Sequence, residues 1–300
     1  MSISGETREP FDRLFGELRP KLHRYCARMT GSVVDGEDVL QEALAKAFEA
    51  LPNAGPIANP EGWLFRIAHN AALDFLRRRG REKAFSDEDP DMIVDPANPT
   101  VDRQAAAAGL HTFMRLPVAQ RSSVIMMDVL GYSLQEISAM LDTSIPAIKA
   151  ALHRGRGRLR QLADEPEDRP SPRLSASERL LLDAYIDRFN VRDFDAVRDM
   201  LADEVRLELV ARTRLNGRKQ VGTYFHNYSR VQDWRFVPGF VEDRPAVLVR
   251  DPNDPAARPS YFVLLAWQDG RLAVIRDFRH ARYVADSAEM SLLETIAPSD

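Results

Sequence analysis

The sequence has a single cysteine, Cys26, in 300 residues. One cysteine can form neither an internal disulfide nor a cysteine-based zinc site, which is typical of a protein in a reducing cytoplasm. No apolar run approaches the roughly 18 residues of a transmembrane helix, and the first residues, MSISGETREPFDRLF, lack the segments of a signal peptide. We therefore expect a cytoplasmic protein with no membrane partner, no metal site and no cofactor.

An overall excess of basic residues is also lacking, because the net charge is −4. The charge is nevertheless uneven along the chain. Residues 111–162 carry seven basic and three acidic side chains, whereas residues 86–110 carry one basic and six acidic side chains and residues 163–175 carry two basic and four acidic ones. A basic module between two acidic segments indicates a local nucleic-acid-binding surface that the composition of the whole chain hides.

Proline-rich segments divide the chain into modules. Residues 86–102 contain three prolines, and residues 163–175 contain Pro166, Pro170 and Pro172. Proline breaks helices, so both segments are expected to be extended or disordered. The predicted organisation is a helical module, an acidic linker, a second helical module, a proline-rich linker, an α+β domain and a tail, at residues 10–83, 84–110, 111–163, 164–175, 176–285 and 286–300.

Helical periodicity dominates the first module. Apolar residues recur at helical spacing from Phe11 to Leu22 and from Val39 to Phe48. After a loop at 51–60, a third helix begins at Pro60 and ends in Arg77, Arg78 and Arg79. Cations at a helix C-terminus stabilise the helix dipole by themselves. The alternative is that these arginines bind phosphate.

The second module predicts a helix-turn-helix. Gly131 ends one helix, Ser133 and Glu136 form a capping box for the next, and residues 142–144 make a tight turn. A basic final helix suits entry into the DNA major groove, although a solvated helix face would have the same composition. The side chains of this helix that carry or can carry positive charge are Lys149, His153, Arg154, Arg156, Arg158 and Arg160.

The third module predicts two helices, the second including Leu201, followed by strands. The strand-like runs lie at 205–210, 234–241, 246–250, 261–267 and 272–278, and residues 268–270 form a predicted hairpin turn. Helices followed by strands indicate an α+β sheet that folds over helices. The fold class is therefore multidomain, with two all-α modules and a C-terminal α+β domain.

The two helical modules together resemble an extracytoplasmic-function (group 4, sigma-70 family) RNA polymerase sigma factor. DVLQEALAKAFEAL (38–51) and NPEGWLFRIAHNAALDFLRRR (59–79) resemble region 2, and residues 116–160 resemble the helix-turn-helix of region 4. The resemblance covers about the first 165 residues. It implies that the acidic linker runs toward the polymerase active-site cleft; the alternative is a solvated spacer.

The resemblance also implies roles for individual residues. The residues expected to dock on core polymerase are Asp38, Gln41 and Glu42. Those expected near the −10 promoter element are Asn53, Asn59, Trp63, Arg66, Asn70, Arg77, Arg78 and Arg79, although Trp63 is equally well explained as a core residue. Those expected at the −35 element are Lys149, Ala150, His153, Arg154 and Arg156.

The final helix departs from the family pattern. It has Ala147, Ala150 and Ala151 where the family often has hydrogen-bonding residues. Alanine is able to touch a thymine methyl group but has no side-chain hydrogen bond to offer. Gly155 and Gly157 are each expected to weaken the helix by about 1 kcal/mol relative to alanine. Readout at −35 is therefore expected to depend on backbone contacts and DNA shape.

The C-terminal module resembles the SnoaL-like, NTF2-like family, on AYIDRFNVRDFDAVRDMLADEVRLEL, on LNGRKQVGTYF and on the closing DGRLAVIRDF. That resemblance implies an α+β cone with a pocket and a regulatory role in cis. The fold hosts both enzymes and non-enzymes, so it does not decide function. No acid/base pair has diagnostic spacing, so no catalytic residue is assigned. Candidate pocket residues are Tyr185, Tyr224, His226, Asp277 and His280; ion pairing with the neighbouring arginines is the simpler explanation of Asp277.

The favoured function is a non-enzymatic sigma factor that binds core RNA polymerase and promoter DNA. Further candidate partners are an anti-sigma factor or a small-molecule ligand at the C-terminal domain. Two alternatives stay open. One is a helix-turn-helix regulator with a ligand-binding domain, which needs no polymerase. The other is an NTF2-like isomerase or cyclase fused to a DNA-binding module, in which residues 176–300 alone turn over a substrate.

Overall fold

The computed structural model describes residues 5–80, 108–163, 165, 172–231, 233–254 and 256–293, with the side chains of 5–10, 12 and 227 excepted. Most of the predicted acidic linker, much of the proline-rich linker and the end of the predicted tail lie outside these residues. The chain divides into two compact units, Met1–Asp168 and Arg169–Asp300. We call them the helical unit and the α+β unit, and we describe each by itself.

The helical unit is all-α in its described residues, as the sequence predicted. Besides its α-helices it contains a 3₁₀ turn, Leu51–Asn53, and a π-helical turn, Ile125–Val129. The helices are α1 (Gly5–Thr30), α2 (Val33–Ala50), α3 (Pro60–Gly80), α4 (Leu110–Met114), α5 (Val118–Val124), α6 (Leu134–Leu141) and α7 (Ile145–Ala163).

Local chemistry sets the first three helices. The Ser32 hydroxyl accepts a hydrogen bond from the Asp35 amide and caps α2. The Asn59 side chain accepts from the Gly62 amide at 2.9 Å and caps the start of α3. Gly36 permits α1 and α2 to pack closely, because a Cβ atom there would lie 2.5 Å from the Cα atom of Ala27.

The two predicted helical modules share one hydrophobic core. The rings of Phe65 in α3 and Tyr132 before α6 lie 5.2 Å apart, edge to face. Arg121 of α5 is 4% exposed, and its guanidinium donates to the Met29 carbonyl oxygen at 2.6 Å and to the Leu116 carbonyl oxygen at 2.9 Å. Regions that the sequence separates by a linker therefore pack as one body.

The α+β unit confirms the predicted class. Its seven strands form one sheet in the order β2-β1-β6-β5-β4-β3-β7, in which β1 and β6 are parallel and the other neighbours are antiparallel. The elements are α8 (Ala176–Asn190), α9 (Phe194–Asp199), β1 (Leu201–Leu209), β2 (Thr213–Asn216), α10 (Gly217–Ser229), β3 (Arg235–Val241), β4 (Arg244–Arg250), β5 (Tyr261–Gln268), β6 (Arg271–Asp277), α11 (Arg282–Ser287) and β7 (Met290–Leu292).

The strand boundaries differ from the predicted ones in three places. Leu201 begins β1 instead of ending a helix, since its buried side chain joins the core of the sheet. The edge strand β2 was missed because its four residues are mostly exposed and show no apolar alternation. The edge strand β7 lies inside the predicted tail; it pairs with β3 beside Gly239, where a Cβ atom would lie 2.5 Å from the Ser291 carbonyl oxygen.

The predicted hairpin turn joins β5 to β6. Asp269 and Gly270 have φ angles of 51° and 72°, as a two-residue turn between antiparallel strands requires. The core of the unit lies between the sheet and its helices. Phe189 of α8 is at its centre and stacks on Phe236 at 4.3 Å.

Candidate nucleic-acid interface

Helices α6 and α7 form the predicted helix-turn-helix. Ser133 and Glu136 make the reciprocal capping box at the start of α6, and Asp142 adopts the left-handed conformation at its end. Ile148 and Leu152 bury one face of α7. The opposite face is exposed, so the turn presents the first turns of α7 to solvent as a groove-reading helix requires.

The predicted −35 residues divide into exposed and internal groups. Lys149 and Arg154 are exposed and have no acidic partner among the described residues, while Ala150 and His153 are half-buried. Arg156 points inward, and its guanidinium binds the buried carboxylate of Asp128 through two hydrogen bonds, one of 2.9 Å from Nε. The sequence did not predict this pair, because the spacing of residues along α7 does not show that Asp128, in the π-helical turn, lies beside it.

The predicted −10 loop and the start of α3 combine structural and exposed residues. Asn59 is the cap of α3, Asn53 ends the exposed 3₁₀ turn, and Asn70 is exposed on α3. Trp63 is partly buried and packs against the helical core. The core explanation of Trp63 is thus consistent with the structure, and only part of its ring is accessible.

The arginines predicted to contact −10 DNA are all engaged within the helical unit. Arg66 donates from Nη2 to the Ala139 carbonyl oxygen of α6 at 2.5 Å. The three arginines at the end of α3 form ion pairs: Arg77 with Asp74 at 3.3 Å, Arg78 with Glu42 at 2.8 Å and Arg79 with Asp35 at 2.9 Å.

The predicted docking face lies on α2. Asp38 is exposed, and Gln41 and Glu42 are half-buried. Hydrogen bonds from Arg78 and Lys46 hold the pKa of Glu42 below its ordinary value, so Glu42 is ionised at neutral pH. Glu37, one turn before Gln41, does not belong to this exposed face. It is buried, and its carboxylate accepts a hydrogen bond from Arg19 at 2.5 Å.

Sequence reasoning missed a polar contact between the two helical modules. The Glu61 carboxylate at the start of α3 accepts from Lys21 Nζ at 2.8 Å and from the Tyr132 hydroxyl. The Lys21 ammonium also lies 4.0 Å from the centroid of the Tyr132 ring. No periodicity or motif links these three residues, which are 40 and 71 positions apart along the chain.

In the α+β unit, Asp277 is fully buried and already bonded. Its Oδ2 accepts from the Tyr224 hydroxyl at 2.6 Å and from the Tyr228 hydroxyl at 2.7 Å. Its Oδ1 accepts from the backbone amide of Arg279 at 2.8 Å. Burial raises the pKa of Asp277, although these hydrogen bonds oppose the shift. Three donors hold the carboxylate inside the core, so it is not presented to a substrate in this conformation.

The other candidate pocket residues are distributed between core and surface. Tyr185 is buried, and its hydroxyl has no hydrogen-bond partner among the described groups. His226 is exposed on α10. His280 is exposed beside Arg212, whose Nη1 lies 3.1 Å from Nε2 of the histidine; burial and this arginine lower its pKa. The structure therefore brings together Tyr224 and Asp277 and leaves the two histidines outside.

The described residues contain neither a membrane-spanning helix nor a cluster of metal ligands. None of the described helices is long and apolar enough to cross a membrane. Within the same residues, no group of three or more histidine, cysteine, aspartate or glutamate side chains is placed to hold a metal ion.

Comparison with known protein families gives two matches. Residues 14–82 match sigma-70 region 2, and residues 110–159 match sigma-70 region 4. These ranges contain the predicted docking and −10 residues and the helix-turn-helix, respectively.

Similar sequences are named as sigma factors. The ECF RNA polymerase sigma factor SigM of Mycobacterium tuberculosis is 34% identical over 160 residues, which are 53% of this chain and 80% of SigM. The sigma factor CarQ of Myxococcus xanthus is 30% identical over 160 residues, covering 53% of this chain and 92% of CarQ. SigG of M. tuberculosis is 29% identical over 235 residues, 67% of this chain, and the match spans only 64% of the length of SigG.

Similar solved structures include the sigma factor SigJ of M. tuberculosis, with 19% identity and a TM-score of 0.35 over 88% of this chain and 95% of SigJ. A SnoaL-like protein of unknown function from Burkholderia thailandensis has 20% identity and a TM-score of 0.29 over 40% of this chain and 98% of its own.

Proposed function

Because the chain belongs to the family of extracytoplasmic-function RNA polymerase sigma factors, we propose that it binds core RNA polymerase and directs it to promoters. The polymerase carries out the chemistry, and this chain contributes binding. Such a protein acts where polymerase and chromosome meet, so its proposed location is the cytoplasm.

The observation that carries the proposal is the exposed cationic face of α7. Lys149 and Arg154 lie on the accessible side of a capped helix-turn-helix, with no acidic partner among the described residues. Cations on this face are free to contact phosphates and base edges of the −35 element. Region 2 provides the second half of the mechanism, in which Asp38, Gln41 and Glu42 dock on polymerase while the loop before α3 and the arginines of α3 hold the −10 strand.

Promoter binding also requires the helical unit to open. The −10 and −35 elements lie about 25 base pairs apart, which is about 85 Å at 3.4 Å per step. In the described structure, Arg66 of region 2 is bonded to region 4, and Arg121 of region 4 is bonded to region 2. We propose that these contacts separate when polymerase and promoter bind.

The α+β unit is proposed to modulate the activity in cis. An NTF2-like isomerase or cyclase is the second candidate. The enclosure of Asp277 by two tyrosine hydroxyls counts against it, because this carboxylate is the buried acid that such an enzyme would have to present to a substrate. We also propose that a small-molecule ligand or an anti-sigma factor binds this unit and thereby changes the activity.

Run-off transcription of genomic fragments with purified core polymerase tests the proposal. The full-length chain is expected to give transcripts with defined starts. Arg154→Gln is expected to reduce the amount of these transcripts. Arg235 is an exposed arginine of the α+β unit, and Arg235→Gln is expected to leave the amount unchanged. Asp277→Asn is expected to change the amount of transcript without moving the starts. Duplex DNA binding with no polymerase-dependent start would favour the regulator alternative, and substrate turnover by the chain would favour the enzyme alternative.

A further inference from the structure

The arginines at the end of α3 are paired with acids of α2. Arg78 Nη2 lies 2.8 Å from Glu42 Oε2, and Arg79 Nη1 lies 2.9 Å from Asp35 Oδ2. Both arginine side chains are 57% exposed, so the guanidinium groups are at the surface while their charges are neutralised from within. Before either arginine contacts a DNA phosphate with its full charge, its ion pair has to break.

The same acids lie on or beside the proposed polymerase-docking face. Glu42 is one of the three proposed docking residues, and it also accepts from Lys46 Nζ at 2.8 Å. Asp35 lies one turn before Asp38 on α2, and its side chain is 15% exposed. The face proposed to meet polymerase and the face proposed to meet DNA thus share two ion pairs.

On the premise of the function proposed above, we propose that Asp35 and Glu42 are positioning residues that mask Arg79 and Arg78 in the free protein. A cation of polymerase that binds Glu42 then releases Arg78 to the promoter strand. Asp35 has no assigned contact with polymerase or DNA, and its effect on DNA operates entirely through Arg79.

This arrangement links the two binding events thermodynamically. Glu42 pairs less well with Arg78 once a cation of polymerase occupies it, so polymerase docking strengthens phosphate binding by Arg78. By linkage, DNA bound to Arg78 strengthens polymerase docking by the same factor. Exposed ion pairs are weak, so each pair is expected to change affinity by about 1.4- to 5-fold.

Fluorescence anisotropy of the full-length protein tests the masking. The probe is a labelled mixed-sequence single-stranded 12-nucleotide DNA, because phosphate contacts do not depend on sequence. Asp35→Asn and Glu42→Gln are each expected to tighten binding by the free protein by about 1.4- to 5-fold. Each is also expected to steepen the slope of log affinity against log salt by about 0.7, the contribution of one added phosphate contact to single-stranded DNA.

The matched control is Glu49→Gln. Glu49 is an exposed acid of the same helix, with no arginine partner among the described side chains. The Glu49→Gln substitution removes the same negative charge, so it reports the general effect of that charge on DNA affinity. The salt slope of this variant is expected to stay at the wild-type value. A merely structural role for Asp35 would alter thermal stability and leave the salt slope unchanged.

The linkage has its own measurement. Core polymerase is expected to bind the wild-type protein more tightly with saturating 12-nucleotide DNA than without it, and this ratio is expected to fall toward 1 in Arg78→Gln. An unchanged ratio in that variant contradicts the linkage. Slopes in Asp35→Asn and Glu42→Gln that match Glu49→Gln contradict the masking.

Failure of this inference is distinguishable from failure of the proposed function. One outcome is that the wild type gives defined run-off starts while Asp35→Asn and Glu42→Gln have the same salt slope as Glu49→Gln. That outcome overturns the masking and leaves the sigma-factor function standing. Absence of any polymerase-dependent start overturns the function and, with it, the linkage to polymerase.

Discussion

Burial shifts the pKa of two histidines in the helical unit and of one aspartate in the α+β unit. Burial lowers the pKa of His23, and it lowers the pKa of His69 to about 4. In the α+β unit, burial raises the pKa of Asp277. Burial therefore favours the neutral form of these groups, a base in the helical unit and an acid in the α+β unit.

The contributions of these groups to stability therefore depend on pH in opposite ways. The histidines stabilise the helical unit above their unfolded pKa of about 6.5, and this stability is lost as pH falls toward about 4. Asp277 has the reverse sign, because the unfolded chain loses its proton first. The stabilisation that Asp277 gives the α+β unit is lost as pH rises from about 3.9 through its raised pKa. Acid thus removes the contribution of the histidines to the helical unit and restores the contribution of Asp277 to the α+β unit.

The largest expected effect comes from Arg121→Met in the helical unit. The substitution removes the cation that bonds the Met29 and Leu116 carbonyl oxygens. Hydrogen bonds to charged groups contribute about 1.5–3 kcal/mol each, and relief of the buried charge offsets part of the loss, so we expect destabilisation by about 3–4 kcal/mol. Hydrogen-exchange mass spectrometry under increasing urea measures it in peptides of residues 14–80 and 110–160.

Arg115→Met is the matched control. Arg115 is 48% exposed and forms an ion pair with Glu165, so this change is expected to cost less than about 1 kcal/mol. Equal effects of the two substitutions would mean that Arg121 does not join the two halves of the core.

The pH comparison is sharpened by His69→Gln. The Tyr25 hydroxyl lies 2.6 Å from Nδ1 of His69, and glutamine keeps an acceptor without taking up a proton. Between pH 7 and 4.5 we expect the wild-type helical unit to lose about 2–3 kcal/mol more than this variant. Exchange protection, corrected for intrinsic rates, is the measurement. His111 is an exposed histidine of the same unit, and the control His111→Gln is expected to lose as much stability in acid as the wild type. If His69→Gln loses stability in acid as steeply as the wild type, His69 is excluded as the cause.

The smallest effect is expected from Asp277→Asn in the α+β unit. With the amide oxygen kept on the Arg279 amide, the new NH₂ group faces the two tyrosine hydroxyls, which then have to accept instead of donate. Tyr228 can redirect its hydrogen to the Tyr261 hydroxyl, but the hydrogen of Tyr224 is left without an acceptor among the described groups. Leaving one buried donor unpaired costs about 1–3 kcal/mol. Trp234 and Trp267 lie in this unit, so tryptophan fluorescence of a Trp63→Phe background follows its unfolding in urea.

The same variant tests the sign of the pH dependence. Relative to Asp277→Asn, the wild type is expected to lose stability as pH rises above about 3.9. Asp195→Asn, whose side chain is 92% exposed, is the control and is expected to unfold like the wild type. A wild type that gains stability relative to Asp277→Asn as pH rises would contradict the predicted sign.

Features set by neighbouring residues in the chain could be predicted. The capping box of Ser133 and Glu136, the turn at Asp269 and Gly270 and the basic face of α7 depend on local geometry, and each is present. The all-α and α+β classes follow from periodicity in the same way. Local patterns are sufficient for these features because the elements they describe begin and end within a few residues.

Partners far apart in sequence could not be predicted. Arg156 belongs to a basic run, yet it binds Asp128, 28 positions earlier. Asp277 stands among arginines in sequence, yet its nearest side-chain donors are two tyrosines of α10, about 50 positions away. Charge composition identifies a surface, but tertiary packing decides which of its members face outward.

The two glycines of α7 differ in whether they can be replaced by a larger residue. A Cβ atom at Gly155 would lie 2.8 Å from Cγ2 of Val124, whereas one at Gly157 would meet nothing within 4 Å. Drift at position 155 is therefore opposed by the neighbouring helix. At position 157, replacement by alanine is open and would gain about 1 kcal/mol of helix stability. Lineages of this chain can stiffen the distal half of the helix without altering the face that packs against the rest of region 4.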